Sequence, residues 1–205
     1  MKVLLINGSP HSNGCTATAL EVVAKELENN GIEAEIVHVG HKDIHGCIAC
    51  GKCNEIGKCV FNDFVNEIAQ KFEASDGIVI GSPVYYAGVA GTMCSFLDRL
   101  FFSTHFDKRM KVGAAVCSAR RAGTTATFDR LNKYFTISEM PVVSSRYWNM
   151  VHGFSREDVL KDEEGVQCMR ILARNIAFLV KAIVAEKERN GIPKQEEITF
   201  TNFIR

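Results

Sequence analysis

The sequence has no surplus of charge of either sign. Its 24 lysines and arginines are matched by 24 aspartates and glutamates, for a formal net charge of zero. A protein that grips nucleic acid by its phosphates normally carries a basic excess, so no nucleic-acid partner is expected. The acidic excess usual on small electron carriers that dock basic partners is missing as well. Long apolar runs are also lacking. The opening MKVLLINGSP is too short for a signal peptide, and no small-residue cleavage site follows. Gly77–Leu97 runs 21 residues without a charge, but Pro83 and four glycines interrupt it. It reads as a buried strand and loop, with no membrane span and no membrane partner expected. No repeat, low-complexity run or linker divides the chain, so residues 1–205 are expected to form a single domain in the cytoplasm.

Cysteine, by contrast, is plentiful and clustered. Of eight cysteines, four fall in the loop His45–Phe61, HGCIACGKCNEIGKCVF, as C-x2-C-x2-C-x5-C. Cytosolic thiols stay reduced, which speaks against a disulfide staple. The spacing also differs from the paired C-x2-C knuckles of structural zinc. The residues alone leave an iron–sulfur site, zinc and free thiols open. Cys94 and Cys117 sit in apolar stretches and read as small core residues, and Cys168 falls on the last helix. His38, His41 and His45 precede the loop at spacings that do not converge in strand geometry.

Apolar patterning gives the order of elements. Lys2–Asn7 is a strand buried on both faces. Thr16–Asn29 places Ala19, Leu20, Val23, Ala24 and Leu27 at helical spacing, and Asn30-Gly31 stops it. Strands follow at Ile32–Val39, Gly77–Pro83, Lys111–Ser118 and Pro141–Trp148. Helices are predicted at Asp63–Phe72, Gly91–Phe102, Thr124–Phe135 and from about Glu164 to Glu188. Strands and helices alternate throughout. The expected class is α/β, a domain around a parallel sheet.

Ligands of such sheets lie beyond the carboxyl ends of the strands, and three loops there carry chemistry. Gly8–Leu20, GSPHSNGCTATAL, opens a helix whose free N–H groups and positive end make an anion site. Ser9, Ser12, Asn13 and Thr16 can add hydrogen bonds. It is neither G-x-G-x-x-G nor a Walker loop, which disfavours dinucleotide wrapping and ATP hydrolysis. A cradle lined with hydroxyls and lacking a fixed lysine suits a monoester such as the phosphate of FMN. Ser82–Met93, SPVYYAGVAGTM, offers Tyr85 and Tyr86 as flat faces for an aromatic ligand. Ser118–Thr125, SARRAGTT, brings small residues close, with Arg120 or Arg121 to stabilise negative charge on a reduced flavin ring.

Together Gly8–Leu20, Ser82–Leu100 and Lys111–Gly123 resemble the FMN-contacting segments of the NADPH-dependent FMN reductase family, in the same order. The resemblance covers about the first 150 residues. It implies a flavodoxin-like, doubly wound five-stranded parallel sheet of order 2-1-3-4-5, FMN as cofactor, and a homodimer or tetramer. By it the phosphate meets Ser9, His11, Asn13, Cys15 and Thr16, and the ring meets Pro83, Val84, Tyr85 and Tyr86 together with Ser118, Arg120, Arg121 and Gly123. The sequence departs from many relatives at His11, where they carry arginine, and at Cys15. The four-cysteine loop resembles that of the iron–sulfur flavoproteins within this family, which implies a [4Fe–4S] cluster on Cys47, Cys50, Cys53 and Cys59.

The expected function is an FMN-dependent NAD(P)H oxidoreductase passing electrons to a small-molecule acceptor, with the chemistry borne by the flavin and no catalytic side chain assigned. The alternative is an electron carrier serving a redox partner protein. The four-cysteine loop favours the carrier, and the lack of acidic excess favours the enzyme.

Overall fold

The structure, a computed structural model, describes residues 1–201. At its centre KVLLIN forms strand β1 (Lys2–Asn7), buried from Val3 onward. Side chains alternate across a strand. Val3 and Leu5 therefore enter one core and Leu4 and Ile6 the other. On one side β1 pairs in parallel with β2 (Glu33–His38), from Lys2 opposite Glu33 to Asn7 opposite His38. On the other it pairs with β3 (Gly77–Tyr85), Val3 opposite Gly77. From β3 the chain turns back into the short antiparallel strand β4 (Gly88–Val89). Next come β5 (Val112–Ala119), parallel to β3, and β6 (Met150–His152), parallel to β5.

The sheet order is β2-β1-β3-β5-β6. With the hairpin strand β4 set aside, this is the flavodoxin-like order 2-1-3-4-5; β4 makes a sixth strand and moves the later numbers up by one. Five helices cover the two faces. Helix α1 (Cys15–Asn29) buries Ala19, Leu20, Val23, Ala24 and Leu27, the positions its spacing predicts. The short α2 (Cys53–Ile56) lies inside the cysteine loop. Helices α3 (Phe64–Glu73), α4 (Gly91–Ser103) and α5 (Thr124–Thr136) cover the opposite face through Phe72, Phe96 and Phe135. Beside α1 packs α7 (Glu163–Asn190), with Met169, Ile176 and Val180 in the shared core. Before it, α6 (Arg156–Lys161) is started by a capping box in which Ser155 and Asp158 exchange side-chain and backbone bonds. No helix among the described residues is long and apolar enough to cross a membrane.

The predicted strand Pro141–Trp148 is corrected. Only its first residues reach β5: Gly113 N–H donates to Pro141 O at 2.9 Å and Val143 N–H to Gly113 O at 2.9 Å. The chain then leaves the sheet, with Arg146, Tyr147 and Trp148 exposed, and returns at the buried Asn149, whose carbonyl accepts from Cys117 N–H at 2.9 Å. β-Branched and aromatic composition marks a residue that suits a strand. Here Val143 is buried while the two aromatics face out, so composition and pairing part company.

Cys117 and Cys168 are core residues, one in each layer, and Cys94 is half-buried. Burial pushes the Cys117 thiol up from 9.0 to about 12. An acid held neutral in the fold adds stability that is whole below its unfolded value and is lost as pH climbs from about 9 toward about 12. Urea unfolding should therefore show wild type losing about 1.4 kcal/mol more per pH unit than Cys117→Ala within that window. A difference between the two that does not change with pH would show that this thiol is not sealed.

Candidate functional site

The loops predicted to carry chemistry lie at the carboxyl ends of β1, β3 and β5. After β1, Ser9 N–H donates to Asn7 Oδ1 at 3.0 Å and His11 N–H to Ser9 Oγ at 3.1 Å, so the loop is fixed by its own side chains. Gly14 precedes α1 in an extended conformation without any side-chain cap, and no acidic residue stands in the first turn. The N–H groups at the positive end of this helix are thus left to a ligand or to water. The loop is also held from the β2 side. A Cβ at Gly40 would lie 2.1 Å from Ser9 O, so only glycine permits this approach. His38 Nε2–H donates to the same carbonyl at 2.7 Å.

Thr16 Oγ1 on α1 and Ser118 Oγ at the end of β5 lie 2.7 Å apart in buried surroundings, joining the first loop to the third. The second and third loops close on each other as well. Pro83 stands opposite Ser118 in the β3–β5 register. Tyr86 and Ala87, with φ of 49° and 57°, form the turn between β3 and β4. Positive φ at both central residues is the geometry of a type I′ hairpin turn. Gly123 has φ of 93°, and a Cβ there would lie 2.8 Å from Val84 Cγ1 and 2.9 Å from Ala87 Cα. Ser82 Oγ ties off the hairpin, donating to Pro83 O at 2.8 Å and accepting Ala90 N–H at 3.1 Å.

The structure therefore brings Thr16, Pro83, Val84, Ser118 and Gly123 together, with Ser9 buried in the loop after β1. His11, Asn13, Tyr85, Tyr86, Arg120 and Arg121 are exposed. Asn13 Oδ1 accepts from Arg156 Nη1 at 3.2 Å. Cys15 turns away from the loop, its thiol 3.5 Å from Gly153 O and 3.4 Å from Ser155 O, and burial raises its pKa. That contact ties the start of α1 to the segment after β6.

All eight cysteines are free thiols. Cys47, Cys50, Cys53 and Cys59 line one cavity of about 20 Å³ with Ile48, Val60, Phe61 and Phe102 among its apolar walls. Among the described residues no three His, Cys, Asp or Glu side chains gather as ligands of a single metal ion; the His38 and His41 rings lie 4.2 Å apart, and His45 instead stacks on Phe61. The four thiols differ in how firmly they are held. Cys53 is buried, and its carbonyl accepts from His105 Nε2 at 3.0 Å. Asn66 brackets Cys59, accepting its N–H at 3.1 Å and donating to its carbonyl at 3.0 Å. Cys47 and Cys50 are exposed at the rim.

The residue that organises this loop, Arg99 on α4, is one that pattern reading missed. Its side chain is 1% exposed. Its Nη1 and Nη2 donate to Asp63 Oδ2 and Oδ1 at 2.6 and 2.8 Å, Nη1 also to His45 O at 3.2 Å, and Nε to Cys59 Sγ at 3.2 Å. The guanidinium lies 4.9 Å from the centre of the Phe61 ring. Burial by itself would loosen its proton, but the bonds to Asp63 and Cys59 outweigh that and raise its pKa. One turn on, Ser103 lines the same cavity, and its buried hydroxyl has no partner among the described residues. The signal for Arg99 was its place three residues after Phe96, on the stripe Met93, Phe96, Leu97 and Leu100 that enters the core.

Comparison with known proteins adds to this geometry. The sequence pattern of NADPH-dependent FMN reductase matches residues 1–155. An iron-sulfur flavoprotein of Methanocaldococcus jannaschii is 34% identical over 191 residues, covering 89% of this chain and 99% of that protein. An iron-sulfur flavoprotein of Methanosarcina thermophila is 26% identical over 193 residues, covering 92% and 100%. The crystal structure of a flavodoxin, a WrbA-like protein from Agrobacterium tumefaciens, superposes with a TM-score of 0.63 at 15% identity, over 88% of this chain and 98% of that one.

The buried Thr16–Ser118 bond can be tested directly. Thr16→Val keeps the side-chain shape and leaves Ser118 without its partner, which should cost about 1–3 kcal/mol. Thr16→Ser, which keeps the hydroxyl, should retain most of that stability. Equal urea midpoints for Thr16→Val and wild type would show that this bond does not join the loops.

Proposed function

The chain belongs to the NADPH-dependent FMN reductase family, and from that premise we propose that this FMN-dependent oxidoreductase takes electrons from NAD(P)H and carries a [4Fe–4S] cluster on Cys47, Cys50, Cys53 and Cys59. The observation that supports the cluster is that Cys47, Cys50, Cys53 and Cys59 all line one cavity, whose wall supplies an N–H donor to Cys59. The relatives named iron-sulfur flavoproteins support the same reading.

The donor set fits the group. Four cysteine thiolates are the usual ligands of a [4Fe–4S] cluster. Positive φ at Ala49, Gly51 and Gly57 lets the loop bend around a centre. The cavity is small for a cluster, but Cys47 and Cys50 stand at its exposed edge, where outward movement displaces no core side chain.

FMN when bound supplies hydride exchange with a nicotinamide, and a cluster supplies single-electron transfer. The chain's own residues bind and orient. In this reading Ser9, His11, Asn13 and Thr16, with the first-turn N–H groups of α1, hold the phosphate. Because Thr16 and Ser118 hydrogen-bond each other, one hydroxyl of the pair keeps a proton to donate outward. Pro83, Val84, Tyr85 and Tyr86 flank the ring on one side. Ser118, Arg120, Arg121 and Gly123 do so on the other, with the arginines placed to offset negative charge on the reduced ring. No acid–base pair is needed.

The acceptor is a small molecule in the leading reading. Exposed Ile48, Val60 and Phe102 around the cysteine loop favour a second, in which electrons leave to a partner protein. Exposed Tyr86, Tyr147, Trp148 and Phe154 near the cradle support a homodimer or tetramer.

Protein made anaerobically with ample iron should contain FMN together with iron and sulfide in equal amounts. Cys50→Ser should lose the iron and keep the FMN. Iron-free wild type would end the cluster reading while leaving the flavin reading intact. Steady-state assays with NADH and NADPH against quinone, azo and nitro acceptors test the enzyme. Failure of both nucleotides to reduce the bound FMN would leave the carrier.

A further inference from the structure

A guanidinium sealed from water normally exhausts its donors on carboxylates and carbonyls. Arg99 departs from that rule at one atom. Both terminal nitrogens are satisfied by Asp63 and by His45 O, while Nε–H is directed to the sulfur of Cys59. Asp63 is itself fixed, because its Oδ1 accepts Val65 N–H at 3.1 Å at the start of α3. The guanidinium therefore cannot swing away from Cys59 without breaking a bidentate ion pair. Ser103, four residues on and on the same helix, has a hydroxyl buried without a partner among the described residues. A buried unpaired hydroxyl is costly unless a group outside the protein's own hydrogen-bond network satisfies it. Ser103 lines the cavity of the four cysteines.

We infer that Arg99 and Ser103 are positioning residues that form a hydrogen-bond-donating wall for the sulfurs of the cysteine-bound centre and hold its reduction potential high. Hydrogen bonds to sulfur and fixed positive charge both favour the state with one more electron, since reduction adds negative charge at the sulfurs. Both donors lie on α4, and Arg99 reaches Cys59. Cys47 and Cys50 are at the exposed rim. The wall thus acts on a potential, not on a bond being made or broken.

The inference rests on the cluster reading, and the test separates the two. Wild type, Arg99→Lys and Ser103→Ala are prepared anaerobically, and iron, sulfide and FMN are measured. The cluster potential is then read by redox titration followed by electron paramagnetic resonance. Arg99→Lys keeps a positive charge but loses the Nε–H and the fork on Asp63. It should lower the reduced-to-oxidised ratio at fixed potential about tenfold, a shift of about 59 mV for a one-electron couple. Ser103→Ala should shift it in the same direction by less, with iron and FMN retained. A merely structural role for these residues would change iron content or stability and leave the potential of the loaded fraction unmoved. If both variants keep iron and titrate with wild type, the inference is overturned. If Arg99→Lys fails to hold iron, Ser103→Ala decides alone, and an unchanged potential there overturns it. Wild type lacking iron and sulfide would instead remove the cluster reading beneath it.

Discussion

A positive charge taken out of water must be matched at close range or the fold does not hold it. Arg99 is such a charge, and the cysteine loop is arranged around that requirement. The loop's first part supplies His45 O, its last part supplies Cys59 Sγ, and Asp63 closes the bidentate pair just as α3 begins. Removing one partner of a buried pair costs about 3–5 kcal/mol, more than most single contacts in a domain. A segment of mostly exposed, irregular backbone thereby gains a fixed point. The net worth of the pair against an apolar core is a separate matter and is often near zero. What Arg99 contributes is one defined geometry, a role such pairs play elsewhere when the alternative is an adaptable loop.

The loops after β1, β3 and β5 are positioned by a different principle, close backbone packing at the carboxyl ends of a sheet buried on both faces. Here hydrogen bonds between small residues replace charge. Gly40 lets the segment after β2 lie on Ser9, and Gly123 lets the segment after β5 lie on the β3–β4 hairpin. The Thr16–Ser118 bond spans the sheet between those two contacts. Because β1 and β3 are parallel neighbours with neighbouring registers, their following loops emerge side by side. The cradle is a consequence of topology, and its side chains only refine it.

Most of this architecture was legible because burial on both faces leaves a strong mark. KVLLIN, GIVIGSP and KVGAAVCS are continuous apolar runs, and the helical stripe on α1 matches the residues found in the core. The failure at Pro141–Trp148 has a physical cause. Tyr147 and Trp148 have strand-like composition but face outward, while the residue that restores pairing, Asn149, is polar and buried. A local pattern cannot show that a buried asparagine carbonyl will take a sheet hydrogen bond. The loops after β1, β3 and β5 were recognisable from their small residues, but the direction of the Cys15 side chain was not. Its thiol bonds to carbonyls about 140 residues away in sequence, those of Gly153 and Ser155. Arg99 escaped for the same reason: its partners lie 36 to 54 residues away, in a loop without regular pattern.

One helix joins the two sites. α4 begins at Gly91, directly after the β3–β4 hairpin, and its far half carries Arg99 and Ser103 to the cysteines. Groups that must hold a geometry are held better on a regular element than on a loop, because a helix packed on a core has no soft dihedral to spend. The buried stripe Met93, Phe96, Leu97 and Leu100 locks α4 onto the sheet, so its two ends keep a constant separation. The cysteines sit on irregular backbone, while Arg99 and Ser103 facing them are carried on the packed helix. In the proposed reading, ligands on a loop that bends and donors on a helix that does not would meet two demands that no single element meets at once: room to take a centre in, and a fixed field around it afterwards.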